Sequence, residues 1–343
     1  MGDDAQRLLE EWSVTTTALV AINSPYPFWR LSDRHAGQLR SAFPGVRFLI
    51  AHEHDVPVEI RTADVYFGWS FDAEWLKTSP RLRWTATPSA GVDHWPAAAL
   101  DAAGITLTRG YGYHGRPMAE HAIGLLLGFS RGLFTSARLQ TRSVWWKDVL
   151  ADSFFDLYGE TLTIVGCGSV GLRLAEVAQA FGMHVIGVRR SAPRSEPDGI
   201  EWVPAHRVRE ALPRSRAVVN LLPATDETHG FFNESTFKAC RPGTVFINLG
   251  RASTVDHDAL LGALDQGPLV GAALDAQPRK PPALDDPLRH HPRIVLTPKS
   301  AVFSHAYMDQ AVAFFVDNLR LHLAGQPLNG AVTPTHGGTH APH

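Results

Sequence analysis

The sequence predicts an α/β protein made of two parallel-sheet domains. Three observations carry that prediction. The chain has 343 residues, more than one hydrophobic core usually holds, so two domains are expected. Short apolar runs alternate with helix-period stretches from end to end, the pattern of parallel strands joined by crossover helices. Apolar residues make up 44% of the chain and charged ones 19%, a globular rather than a disordered composition.

In chain order, TTALVAI (16–22), VRFLIA (46–51), ADVYFGW (63–69) and RLRWTATP (81–88) read as buried strands, with DRHAGQLRSAF (33–43) as a helix among them. Residues 118–138, MAEHAIGLLLGFSRGLFTSAR, read as one long, mostly apolar helix suited to a junction between domains or subunits. A second series follows: TLTIVG (161–166), HVIGVR (184–189), RAVVNLL (216–222), TVFINL (244–249), LVGAALD (269–275) and IVLTP (294–298). From His305 to Gly325, Met308, Ala311, Val312, Phe315, Leu319 and Leu323 keep helical spacing, so a last helix is expected there. The tail 332–343, rich in Pro, Gly and His, reads as disordered. Its His336, His340 and His343 are better explained by a solvated tail than by a metal site.

Lys plus Arg number 32 against 34 for Asp plus Glu. This balance gives no broad cationic field for nucleic acid or an anionic membrane surface. Two cysteines, Cys167 and Cys240, make no disulfide framework and fit a reducing compartment. The start, MGDDAQRLLEEWS, has an acidic amphipathic character unlike a secretory signal. No apolar run has the length of a membrane span. A soluble, cytoplasmic protein is expected, with no metal site: the chain shows neither zinc-type Cys/His spacing nor a GxSxG elbow.

The strongest local motif is Gly166-Cys167-Gly168-Ser169-Val170-Gly171, which follows an apolar strand and opens the helical stretch LRLAEVAQAFG. In that setting the first glycine allows the tight turn, and the second lets backbone approach a pyrophosphate. The third allows close helix–strand packing, and the helix N-terminus favours the anion. An acidic residue closing the next strand would bind the ribose 2′-hydroxyl of NAD. This chain has Arg189, Arg190 and Ser191 there instead. Guanidinium groups grip a 2′-phosphate by charge-assisted hydrogen bonds, so NADP(H) is favoured over NAD(H).

These motifs, with SAGVDHW (89–95), RPMAEHAIGLLL (116–127), LLPATDETHGF (221–231), VFINLGRASTVDHDALLGAL (245–264), GAALD (271–275) and VLTP (295–298), make the chain resemble the D-isomer-specific 2-hydroxyacid dehydrogenases over about residues 60–330. The resemblance implies two Rossmann-like or flavodoxin-like domains, one inserted in the other. Residues 1–117 and 304–331 would form the substrate domain and 118–303 the dinucleotide-binding domain, with the active site in the cleft between. It implies that the amides of Ala90 and Gly91 bind the substrate carboxylate, and that Arg251 holds the carboxylate and the keto oxygen. It further implies that Asp275 bonds the nicotinamide carboxamide, that Leu222 lines the cofactor path, and that the protein is a homodimer acting on a small anionic 2-keto or 2-hydroxy acid. Trp69, together with Tyr66 and the pair Trp145–Trp146, is a candidate for shaping the substrate pocket.

Where the family has a His–Glu pair that protonates the keto oxygen, this chain departs from it. The histidine follows the last strand in a TPH motif, and here the residues are Thr297-Pro298-Lys299. The glutamate's offset lands on Lys280, in the proline-rich stretch QPRKPPALDDP. A free lysine ionises near 10.4, too high for an efficient shuttle at neutral pH, but burial and neighbouring cations lower that value. Lys299 would then donate the proton and stabilise the developing alkoxide. Three converging cations also suit a substrate with a second anionic group. His114, His305, Asp285 and Asp286 are weaker candidates for the acid. Two other readings stay open: altered chemistry on the same scaffold, such as imine reduction or a cofactor-assisted non-redox step, and a non-catalytic nucleotide sensor.

Overall fold

A computed structural model describes residues 16–191, 199–278 and 282–333. Two compact units emerge, one drawn from the chain up to His114 and from Phe303 onward, the other spanning Gly115–Val302.

In the first unit the strands are β1 (Thr16–Ala21), β2 (Val46–Ile50), β3 (Val65–Gly68), β4 (Trp84–Thr87) and β5 (Thr106–Arg109). They form a parallel sheet in the order β2-β1-β3-β4-β5. Winding reverses between β1 and β3, the switch point at which doubly wound sheets bind ligands. Side chains alternate across the sheet. Phe67 and Trp84 pack on Phe315 of the helix Tyr307–Leu323, with ring centroids 4.4 and 5.1 Å away. Tyr66 faces the other way, among Phe71, Trp75 and Trp95. At 2% exposure and with its hydroxyl donating to Ser70 O, Tyr66 is core, not pocket wall. The sequence reading passed over β5, a short strand in which only Leu107 and Thr108 are buried.

The second unit holds β6 (Thr161–Val165), β7 (His184–Arg189), β8 (Ile200–Pro204), β9 (Ala217–Asn220), β10 (Thr244–Asn248), β11 (Leu269–Leu274) and β12 (Ile294–Leu296). Their order is β12-β11-β10-β9-β6-β7-β8 and every pairing is parallel. The switch point lies between β6 and β9. The sequence reading missed β8 because its single large anchor, Trp202, lies in an otherwise mixed run. That ring occupies the space left by Gly187, where a Cβ would stand 2.7 Å from it.

The expected unbroken helix over 118–138 is two helices, Gly115–Ser130 and Leu133–Leu139. Gly132 breaks it. Its φ of +65° is left-handed, and Leu150 fills the space a Cβ would need, 2.6 Å away. The first of the two helices buries Ala119, Ala122, Ile123, Leu125 and Leu126 in the same core as Leu174, Ala175 and Ala178 of the helix Ser169–Ala180. No described helix is long and apolar enough to cross a membrane. The tail histidines His336, His340 and His343, and Lys280, lie outside the described residues.

Candidate active site

In the second unit, the residues singled out by sequence converge on the C-terminal ends of adjacent parallel strands. The glycine loop follows β6 at the switch point. Gly166 takes φ +88°, and a Cβ on it would lie 2.8 Å from the Leu221 carbonyl carbon and 2.9 Å from Leu222 N. Gly168 is open, its nearest neighbour 4.0 Å from a Cβ position. Gly171 faces Ile164 and Cys167 at 3.0 Å, which lets the helix Ser169–Ala180 pack close on β6. No side chain caps that helix. Its first residues, Ser169 and Val170, are half-buried beside the exposed Gly168, so a pyrophosphate fits this cradle sterically and electrostatically. Cys167, fully buried, has its thiol pushed up to about 12 by desolvation and is no nucleophile.

Arg189 ends β7 with its guanidinium over the Trp202 ring, 5.8 Å from the centroid. Arg190 and Ser191 follow it, both exposed. Leu222, after β9, is buried and its amide donates to Asn220 Oδ1 at 3.0 Å.

Arg251 follows β10 and is half-buried. A buried polar network, missed by sequence reasoning, shapes its loop. Asn220 Nδ2 donates to Asn248 Oδ1 (2.9 Å) and to Thr254 Oγ1 (2.7 Å), while the Arg251 carbonyl accepts from Asn248 Nδ2 (3.2 Å) and Thr254 Oγ1 (2.6 Å). All three side chains are fully buried, where an unpaired amide would be costly. The signal was present: each of two apolar strands, AVVN and TVFIN, closes on asparagine.

Lys299 lies just past β12 with φ +59°, the one left-handed non-glycine among the described residues. Such a conformation costs about 1–3 kcal/mol and persists only where neighbours enforce it. Here the enforcer is Asp275, at the end of β11 and 4% exposed. Its Oδ1 accepts from Thr297 Oγ1 (2.7 Å) and Ser300 N (2.8 Å), and its Oδ2 from Ala301 N (3.2 Å). Gln277 Nε2 clamps the same turn through the carbonyls of Leu274 (2.9 Å) and Thr297 (2.6 Å). His121, on the helix Gly115–Ser130, places Nε2 3.2 Å from Thr297 Oγ1 and 3.9 Å from Asp275 Oδ1. Burial lowers its pKa, against an opposing pull from Asp275. Sequence reasoning weighed other histidines and overlooked this one.

In the first unit, the turn carrying Ala90 and Gly91 follows β4. Among the described residues no hydrogen bond uses either amide N–H, so both can serve an incoming carboxylate. The Ala90 carbonyl accepts from Arg109 Nη1 at 3.2 Å. Just upstream, the Pro88 carbonyl takes donors from Tyr113 Oη (2.6 Å), Tyr307 Oη (2.9 Å) and His114 Nε2 (3.1 Å). His114 is buried and its pKa is lowered to about 4, mainly by desolvation. It is therefore a neutral brace for this turn. Trp69 follows β3, its carbonyl 3.1 Å from His94 Nε2. Of the other candidates, His305 and Asp285 are exposed, Asp286 caps the helix Pro287–His290 through Leu288 N, and Trp145 is 75% exposed. No group of metal-ligating side chains occurs among the described residues.

Comparison with known proteins now adds a family. Residues 123–301 match the model of the D-isomer-specific 2-hydroxyacid dehydrogenase NAD-binding domain. Glyoxylate/hydroxypyruvate reductase B of Klebsiella pneumoniae subsp. pneumoniae is 32% identical over 77% of this chain and 82% of its own length. The crystal structure of a D-isomer-specific 2-hydroxyacid dehydrogenase family protein from Aeromonas salmonicida is 30% identical, with a TM-score of 0.77 over 93% of this chain and 99% of that one. A probable 2-hydroxyacid dehydrogenase from Rhizobium etli, solved with NADP, HEPES and L(+)-tartaric acid, is 25% identical with a TM-score of 0.77 over 93% and 98% of the two chains. With its glycine cradle at the switch point of a seven-stranded parallel sheet, the chain belongs to the D-isomer-specific 2-hydroxyacid dehydrogenase family and is an NAD(P)-dependent oxidoreductase.

Proposed function

We propose that this protein reduces a 2-keto acid to the 2-hydroxy acid, with NADP(H) preferred over NAD(H), and that Lys299 is its proton donor. The observation that carries this reading is the left-handed turn at Lys299, held by the buried Asp275 carboxylate on the same sheet edge as Arg251 and the glycine loop. Backbone strain enforced by buried polar groups marks functional positions. The relatives named as glyoxylate/hydroxypyruvate reductases support the substrate class.

Bound nicotinamide supplies the hydride for the carbonyl carbon. In the first unit the Ala90 and Gly91 amides suit a substrate carboxylate, and in the second the Arg251 guanidinium suits the oxygens of a 2-keto acid. Lys299 Nζ passes a proton to that oxygen as charge develops on it, then regains one from water. Asp275 contributes by fixing the turn, and its remaining lone pairs suit the nicotinamide carboxamide.

Arg189 supports the coenzyme preference. It ends β7 where an NAD-binding chain carries a carboxylate, it is braced on Trp202, and Arg190 and Ser191 stand exposed beside it. The Rhizobium etli relative was solved with NADP. Exposed apolar side chains at Leu133, Val144, Trp145, Val149 and Phe154 favour a homodimer. Buried thiols at Cys167 and Cys240 suit a reducing cytoplasm.

The test is to mix purified protein with NADPH or NADH and a panel of 2-keto acids and follow coenzyme absorbance. Oxidation is expected, faster with NADPH. If neither coenzyme is consumed with any member of the panel, the reading fails.

A further inference from the structure

At the β1/β3 switch point of the first unit, six aromatic rings gather: Tyr26, Phe28 and Trp29 after β1, Trp69 after β3, and Phe303 and Tyr307 at the start of the last helix. Trp29 is central, with its ring centroid 5.1 Å from Phe303, 5.4 Å from Phe28, 6.1 Å from Trp69 and 6.2 Å from Tyr307. These are the spacings of edge-on and tilted aromatic contact.

Core packing does not account for the group. Both faces of the sheet are already filled, by Phe67, Trp84 and Phe315 on one side and by Tyr66, Phe71 and Trp95 on the other. The cluster lies instead off the strand ends, with Tyr26 49% and Phe303 41% exposed. The indole N–H groups of Trp29 and Trp69, like those of Trp95 and Trp202 elsewhere, are buried yet make no hydrogen bond among the described residues. Buried indoles ordinarily find a partner, and one that does not calls for an explanation.

The cluster is also continuous with the carboxylate turn. Tyr307 donates to the Pro88 carbonyl, two residues before Ala90, and the Trp69 carbonyl is bonded to His94 of the same SAGVDHW segment. A ligand carboxylate on the Ala90 and Gly91 amides thus has aromatic walls beside it. A substrate without a side chain, such as glyoxylate, would leave them unused.

We propose that this ring cluster receives the substrate's side chain, and that the side chain is an aryl group, making the preferred substrate a 3-aryl-2-oxo acid. The proposal rests on the 2-keto acid reading above. It gives Trp69 and Trp29 the specificity role, with their faces against the aryl ring and their N–H groups open to an acceptor on it.

Two measurements test it. Calorimetry with 3-phenylpropionate and acetate, neither of them a substrate, should show the phenyl acid binding at least about tenfold tighter. Trp69→Ala should reduce that ratio to within about threefold, and Tyr26→Ala, at the exposed rim where folding is not at stake, should lower it by a smaller factor. In steady-state assays, kcat/KM for phenylpyruvate should exceed that for glyoxylate by at least about tenfold. Equal binding of the two acids, a ratio unmoved by both variants, or a preference for glyoxylate overturns the aryl assignment while the reductase reading stands. If no keto acid consumes coenzyme, the reductase reading falls, and the calorimetric ratio alone decides whether the cluster is an aryl pocket.

Discussion

At the residue scale the proposed chemistry turns first on Lys299. If it donates the proton, Lys299→Ala should lower kcat by about 10²–10⁴-fold, the usual worth of general acid catalysis, with a smaller change in KM. A rate within a few-fold of the parent would reassign the role. The same substitution keeps φ at +59° on a side chain that gains nothing from it, so denaturant titration should show the turn no more stable than before. Arg189→Asp probes the coenzyme. If Arg189 grips the 2′-phosphate as proposed, the change should weaken NADPH binding by at least about tenfold more than NADH binding, because it would exchange a charge-assisted hydrogen bond for a repelling carboxylate. Equal losses for both coenzymes would show that Arg189 acts only as structure against Trp202.

Elements place those residues, and here packing matters more than side-chain chemistry. The loops after β6, β9 and β10 fit one another only because Gly166 and Gly250 lack side chains. A Cβ on Gly250 would meet Leu222 O at 2.7 Å, and one on Gly166 would meet backbone of Leu221 and Leu222 below 3.0 Å. Gly166→Ala combines that backbone clash with a left-handed φ. It should lower the unfolding free energy by at least about 1–2 kcal/mol and abolish coenzyme binding, as read by thermal shift with and without NADPH. An unchanged coenzyme-induced shift would contradict the assignment of this turn. The glycine loop was legible in the sequence because its requirement is local: a strand, a tight turn and a helix within a few residues. Asp275 was legible only as a position. Its bonds to Thr297, Ser300 and Ala301 span more than twenty residues and exist because β11 and β12 are neighbours in the sheet, which periodicity does not reveal.

For the whole molecule, pH and association are the accessible readouts. His114 is held neutral by burial, with its pKa lowered to about 4 from 6.5. A group depressed in the folded state contributes stability that is complete above its unfolded value and lost as pH falls toward its folded one. His114 alone should therefore cost the fold on the order of 3 kcal/mol between pH 6.5 and 4, and His114→Gln should flatten the fall in urea midpoint over that window. Association is tested by Trp145→Asp, which places a charge among the exposed apolar residues of the 133–154 segment. Sedimentation should show the parent as a dimer and the variant shifted toward monomer, and a parent that sediments as a monomer removes the proposal.

By itself, the sequence determined the α/β class, the two parallel sheets and the glycine cradle. Each of these is written in short-range pattern or in motif order. Only the tertiary structure decided that the long apolar helix breaks at Gly132, that Tyr66 is core while Trp69 joins the rings of Trp29 and Tyr307, and that Asn220, Asn248, His121 and Asp275 brace the candidate site. The reason is physical: a buried polar or aromatic side chain takes its role from whatever the crossovers bring next to it, and that neighbour lies far away along the chain.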